Sequence, residues 1–213
     1  MRCLELFSGT KSVGKVCDLV GIETVSVDLI LPADHQCDIM DFNYKQYPKD
    51  YFDIVWASPP CTEYSILKYS HIGRKINGEI FTREKINENM KEADKLVLKT
   101  LEIINYFKSA IWFMENPRTG RLKDRDIIKD LPFYDVDYCM YSDWGYKKQT
   151  RIWTNKKDFK GLTCNKNCGN MIGNLHKTNL GNTERRLRVN GKSHTREDAY
   201  RIPQDLIFSL LFE

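Results

Sequence analysis

Two side chains of this sequence are placed for covalent chemistry: a cysteine behind two prolines, and a carboxylate closing an apolar run. Ser58-Pro59-Pro60-Cys61 follows the run Asp53–Ala57, DIVWA. The prolines stop that strand and fix the backbone. The next side chain is therefore held in one place, and a thiol there suits a nucleophile. A buried structural cysteine is the alternative, since that is the commonest fate of a free thiol. The polar Thr62-Glu63 that follows favours the nucleophile. Glu115-Asn116-Pro117 comes after Ala110–Met114, AIWFM. A carboxylate partly withdrawn from water suits an acid that protonates the ring nitrogen of a base. It equally suits an ordinary structural hydrogen bond.

A ligand-binding turn is suggested at residues 6 to 14, LFSGTKSVG. A strand, then Gly9, then a helix start lets a ligand approach the backbone closely. Such turns are often nothing more than turns. Asp28 strengthens the reading, because an acid about twenty residues on, ending a second strand, can accept from ribose hydroxyls. It can also serve as a turn or cap residue. Asp38 can take an adenine amino group or cap the chain before Ile39.

These groups need a scaffold that brings them to one edge. Arg2–Phe7, Glu23–Asp28 and Asp53–Ala57 read as strands. Cys37-Asp38-Ile39 reads as a short third element, and Ser12–Val20 as a short helix. Ile86, Met90, Ala93, Val97, Leu101, Ile104 and Phe107 recur at three- and four-residue steps, which predicts a helix over 83–108. Ala110–Met114, Asp135–Met140 and Arg151–Thr154 read as further strands, residues 66–84 as a long loop, and Pro203–Leu211 as a closing helix. Alternating strands and helices imply an α/β, Rossmann-like, doubly wound and mostly parallel sheet. In such sheets ligands sit at the carboxyl ends of the strands. SGT, SVD, SPPC and ENP each follow a predicted strand and so share that rim.

The 213 residues suit one domain with a small appendage. No apolar run is long enough to span a membrane, and the start lacks the pattern of a secretory signal. Seven cysteines, an odd number, point to a reduced intracellular protein rather than a disulfide scaffold. The net charge is +4, yet Trp144–Arg201 carries 14 Lys and Arg against 4 Asp and Glu. That asymmetry suits contact with a polyanion, or a solvated basic face.

The order of these motifs resembles the cytosine-C5 DNA methyltransferase family, in a small, phage- or virus-like form. LELFSGTKSVG resembles its cofactor motif, PPCTEYS its nucleophile motif, and MENP its Glu-Asn-Val motif. QTRIW resembles its Gln-x-Arg-x-Arg motif, and AYRIPQDLIFSLL its final helix motif. The matches cover nearly the whole chain. The resemblance implies S-adenosylmethionine held by Phe7, Ser8, Gly9, Thr10, Asp28, Leu29, Asp38, Ile39, Ser58 and Pro60. It implies a catalytic trio of Cys61, Glu115 and Arg151. Cys61 would attack C6 of a flipped cytosine, Glu115 would act at N3, and Arg151 would hold O2 and favour the thiolate. Ser65, Gln149, Arg185, Arg186 and Arg188 would touch nucleic acid. DNA is the implied substrate, with RNA-directed chemistry or an inactive nucleic-acid-binding homologue as rivals. A plain oxidoreductase is disfavoured by the missing Gly-x-Gly-x-x-Gly. A soluble monomer, free of membranes, is expected.

The chain departs from the family pattern in several places. The first motif is bulkier at Gly9-Thr10-Lys11-Ser12, Thr62 stands where Gln is usual, and Pro117 stands for Val. Gln149 stands for an expected Arg, and Ala199-Tyr200-Arg201-Ile202 replaces the usual Gly-Asn-Ala-Val. The implied layout is a catalytic domain over 1–154, a small basic target-reading lobe over 155–195, and a returning C-terminal helix over 196–213. Cys164-x3-Cys168 with His176 or His194 has a spacing that zinc allows. Sequence alone favours free cysteines in a polar loop, with no metal.

Overall fold

The structure, a computed structural model, describes residues 1–76, 78–108, 110–178 and 196–213, the side chains of 196 and 197 excepted. Eleven strands and four α-helices follow one another among these residues. They are β1 Arg2–Leu6, α1 Ser12–Leu19, β2 Glu23–Asp28, β3 His35–Gln36, β4 Ile54–Ala57, β5 Lys75–Ile76, β6 Glu79–Ile80 and α2 Arg83–Tyr106. The rest are β7 Ile111–Pro117, β8 Phe133–Asp137, β9 Gln149–Thr154, β10 Met171–Ile172, β11 Leu175–His176, α3 Arg196–Tyr200 and α4 Gln204–Phe212.

Seven strands form one sheet in the order β3-β2-β1-β4-β7-β9-β8. All neighbours from β3 to β7 pair parallel. β9 runs antiparallel to both β7 and β8, so it is the one reversed strand. The result is the expected mostly parallel, Rossmann-like sheet. Both faces are covered, as parallel sheets require. One face packs Leu4, Leu6, Val55, Ala57, Met114 and Trp153 against Ile86, Met90, Val97 and Ile104 of α2. The other packs Cys3, Ile54, Trp56, Phe113 and Ile152 against Val13 and Val16 of α1 and Leu206, Ile207 and Leu210 of α4.

Three elements differ from the sequence reading. The third strand lies at His35–Gln36, which puts Asp38 in the following turn. Residues 66–80 are not a plain loop: Ile66–His71 is a 3₁₀ helix, and β5 and β6 form a two-stranded ribbon. Glu115-Asn116-Pro117 belongs to β7 itself, because β9 continues to pair with it through Pro117.

The turn after β1 is held open by a carboxylate from within the sheet. Lys11 precedes α1 in a left-handed conformation and offers no side-chain cap. Glu5 of β1 supplies the cap instead, accepting from Val13 N at 3.1 Å and Gly14 N at 3.0 Å. Two of the helix's unpaired N–H groups are thus satisfied from a strand. Gly14 makes room for this, since a Cβ there would lie 3.1 Å from Glu5 Oε2. Burial pushes the Glu5 carboxyl up to about 7, against the pull of those two N–H groups.

Native Glu5 therefore keeps a proton that the unfolded chain has already released. Its stabilising contribution is complete below the unfolded pKa and lost as pH rises through about 7. Relative to Glu5→Gln, the native chain should lose about 2–3 kcal/mol between roughly pH 5 and 8. Urea unfolding of both proteins at the two pH values measures this. A difference that does not change with pH would contradict it.

Candidate active site

Cys61 stands on a stiff pedestal. Trp56 Nε1 donates to Ser58 Oγ at 3.2 Å, and Asn116 Nδ2 donates to the Pro59 carbonyl at 2.8 Å. Asn116 is buried, so β7 clamps the proline turn from inside the protein. Cys61 then leads into a 3₁₀ turn, Thr62–Tyr64. Tyr64 is buried and donates to Asp94 of α2 at 3.0 Å. Arg125 holds that same carboxylate, with Nε 3.1 Å from each oxygen. Arg121 N donates to the Tyr64 carbonyl at 2.7 Å. The loop that carries Cys61 is thereby tied to β7 and α2, which limits how the thiol can move. Asp94 was not legible in the sequence, where it sits unmarked within a helical pattern. Ser65 Oγ accepts from Leu67 N at 3.3 Å and so caps the next 3₁₀ helix.

Glu115 is 6% exposed, and its Oε1 is contacted from two directions. Tyr138 Oη donates to it at 3.1 Å, and Lys148 Nζ lies 3.5 Å away. Lys148 is itself fixed, donating to the Ala199 carbonyl at 3.0 Å and lying over the Tyr138 ring. Burial pushes the Cys61 thiol up, the Glu115 charge adds to this, and the Lys148 ammonium opposes it. One thiol, one carboxylate and one ammonium thus share a partly desolvated site where β4 and β7 end.

Arg151 is not the cation of this group. Side chains on a strand alternate between faces. Glu115 pairs with Ile152, whereas Arg151 pairs with Asn116 and Asp135. Arg151 therefore points to the opposite face, where Asp135 takes its guanidinium at 2.7 and 2.9 Å and Phe133 lies beneath it. Gln149, two residues away, shares that face. Lys148, four residues before Glu115's partner Ile152 in the alternating order 148, 150 and 152, shares the Glu115 side. The sequence signal for Lys148 is its even offset from Ile152, which becomes readable only once the register is known.

The residues expected around a cofactor gather at the neighbouring strand ends. Phe7, Gly9 and Lys11 all have left-handed backbone, which forms a tight turn after β1. Asp28 Oδ2 accepts from Gly9 N at 2.9 Å, and Oδ1 accepts from Ile30 N and Leu31 N at 2.9 and 2.8 Å. It ties the first turn to the second. A carboxylate has about four acceptor sites, so room remains for a hydroxyl. Ser8 Oγ is buried with no hydrogen-bond partner among the described residues. Leu29, Ile30 and Met40 are exposed beside the turn, while Ile39 is buried. Asp38 Oδ1 accepts from Met40 N at 2.8 Å. Thr10 Oγ1 lies 3.0 Å from Ser12 Oγ, and Pro60 is exposed. An open groove of about 510 Å³ lined by Ser12, Lys15, Trp144 and Arg201 among others includes none of the residues expected around the cofactor. Cys164 and Cys168 come together with Cys139 and His176, not with Cys61. Arg185, Arg186, Arg188 and His194 lie outside the described residues.

A frog virus 3 protein named "Probable DNA (cytosine-5)-methyltransferase" is 39% identical over 224 residues, spanning 99% of both chains. The chain belongs to the DNA (cytosine-5)-methyltransferase family. No family model matches it. Among solved structures, a prophage-encoded E. coli protein described as a DNA modification methyltransferase is 13% identical, with a TM-score of 0.49. The S. pombe Dnmt2 methyltransferase is 12% identical, with a TM-score of 0.44. They match over 72% and 76% of this chain, which spans only about half of either. Membership in the family implies a methyl donor. No described helix is long and apolar enough to cross a membrane.

The electrostatics of this methyltransferase thiol can be read directly. Alkylation of Cys61 by iodoacetamide, followed by mass spectrometry across pH, reports its titration. Glu115→Gln should move the profile to lower pH, and Lys148→Met to higher pH, because one charge raises the thiol and the other lowers it. Coincident profiles for all three proteins would contradict the arrangement.

Proposed function

We propose that the protein transfers a methyl group from S-adenosylmethionine to carbon 5 of cytosine in DNA, through a transient bond between Cys61 and the base. The observation that carries this reading is the shared site of Cys61, Glu115 and Lys148 beside the β1–α1 turn. Cytosine C5 is a weak nucleophile until C6 carries an adduct. The Cys61 thiol gives up its proton to solvent, and Sγ bonds to C6. Glu115 takes up a proton from solvent and donates it to N3 as Sγ bonds to C6, so that the adduct is a neutral enamine with its electron pair available at C5. Lys148 takes the place that the family resemblance gives to Arg151, favouring the thiolate and steadying Glu115. After transfer the C5 proton is lost to solvent, its electron pair restores the ring double bond as the Sγ–C6 bond breaks to free the thiolate, and N3 returns its proton to the Glu115 carboxylate.

The turn is suited to the donor. Asp28 keeps an acceptor for ribose hydroxyls, Ser8 Oγ is buried and available, and Leu29 and Met40 offer apolar surface for a base. When bound, S-adenosylmethionine supplies the electrophilic methyl. Phe7, Gly9, Thr10, Asp38, Ile39, Ser58 and Pro60 complete its surroundings in this reading.

Reaching either ring carbon inside a duplex requires the base to be flipped out. Ile66 and Leu67, exposed just after the nucleophile turn, suit a segment that closes over the extruded base. Residues 1–154 would then carry the chemistry and 155–195 would meet the target. Residues 196–213 return to the first, since Ile202 N donates to Ser12 Oγ at 3.1 Å and Ala199 holds Lys148. Basic residues over 144–201 suit phosphate contact.

Cys61→Ser should abolish both methylation and the covalent complex with a 5-fluorocytosine duplex; an undiminished complex would refute the nucleophile assignment. Asp28→Ala should weaken S-adenosylmethionine binding about 10- to 100-fold, the worth of charge-assisted hydrogen bonds. Calorimetric titration checks this, and unchanged affinity would remove the ribose role. Methyl incorporation into DNA compared with transfer RNA, followed by bisulfite sequencing, tests the substrate. Transfer only to RNA would overturn the DNA reading.

A further inference from the structure

We propose that Cys139, Cys164, Cys168 and His176 bind one structural zinc ion, which fastens the segment after β9 to the end of β8. Their ligand atoms all lie within 4.8 Å of one another. Cys164 Sγ is 3.6 Å and Cys168 Sγ 3.4 Å from His176 Nε2. Tetrahedral zinc, with bonds of about 2.3 Å to sulfur and 2.0–2.1 Å to nitrogen, sets those atoms about 3.6 Å apart. The two sulfur-to-nitrogen spacings observed are thus close to the edge of a zinc tetrahedron. All seven cysteines are free, so no disulfide consumes these three.

The donor set selects the metal and its role. Three soft sulfurs and one imidazole suit zinc and exclude magnesium or calcium. Four protein ligands close the coordination sphere, the mark of a structural rather than a catalytic site. Cys139 and Cys164 are buried. The surroundings hold the ligand backbones in place. Asp137 Oδ2 accepts from Cys164 N at 2.7 Å, and Lys147 Nζ donates to the Cys164 carbonyl at 2.9 Å. The buried Asn170 donates to the Cys139 and Ser142 carbonyls at 3.0 and 2.6 Å and accepts from Gly145 N at 3.1 Å. Such outer contacts orient metal ligands.

The segment has need of such a tie. β10 and β11 are two residues each, and an isolated ribbon of that size does not hold itself. His176 comes from β11, Cys164 and Cys168 from the loop before β10, and Cys139 from the turn after β8. One ion thus joins three stretches of chain. Cys139 directly follows Tyr138, whose hydroxyl contacts Glu115. The metal therefore braces the ring that positions the site's carboxylate. Metal uptake releases the three thiol protons to solvent.

The full chain, purified from zinc-supplemented cells, should carry one zinc per molecule by elemental analysis. Cys37→Ser and Cys168→His should keep it; Cys168→Ser and His176→Ala should lose most of it. Cobalt(II) added to chelator-stripped wild type covers the case of variants that fail to fold. It should give thiolate-to-cobalt charge-transfer bands and the intense visible bands of tetrahedral cobalt. Wild type without metal and without that cobalt spectrum overturns the proposal. So does full zinc retention in both Cys168→Ser and His176→Ala. Neither result depends on methyl transfer, so the site stands or falls apart from the activity.

Discussion

The buried carboxylate of Glu115 is the contact on which the site depends. A charge removed from water needs a partner, and Glu115 obtains its partners from parts of the chain far apart in sequence. β7 carries the carboxylate, the turn after β8 brings Tyr138, and the residue before β9 brings Lys148. Lys148 is held in turn by the carbonyl of Ala199, which the C-terminal segment delivers as it returns to α1. Reversal of β9 within an otherwise parallel sheet lets these pieces meet. It brings the start of that strand beside the end of β7.

The same logic recurs around Cys61. In the proposed reaction the Cys61 loop must be exposed enough to meet a substrate, yet rigid enough to aim one atom. Here the rigidity comes from buried polar groups: Asn116 on the Pro59 carbonyl, and Asp94 on Tyr64. Glu5 does comparable work at the neighbouring turn, satisfying the start of α1 from beneath. None of the three is a surface charge, and each replaces water for a backbone or hydroxyl group that burial would otherwise leave unpaired.

Away from the sheet the chain has little core to rely on. Residues 155–178 bury Phe159, Cys164 and Asn170 and otherwise stay close to solvent. A lobe of this size gains its shape from cross-links rather than from apolar burial. The three sulfurs and the imidazole provide that cross-link, and they place it one residue from the tyrosine that contacts Glu115.

The sequence by itself determined the mostly parallel sheet, the long helix, the strand ends where Cys61 and Asp28 stand, and the strand that carries Glu115. These follow from local periodicity and from punctuation by proline and glycine, which neighbouring residues are enough to specify. It also marked Cys164 and Cys168 by their spacing. Tertiary structure alone decided which cation meets Glu115. The motif pointed to Arg151, but the register of β9 turns that side chain to the opposite face and leaves Lys148 on the near one. It alone brought Cys139 to the other two cysteines, chose His176, and made caps or clamps of Glu5, Asp94 and Asn116. Such partnerships join residues distant along the chain, and no local pattern encodes which face or which loop a side chain will meet.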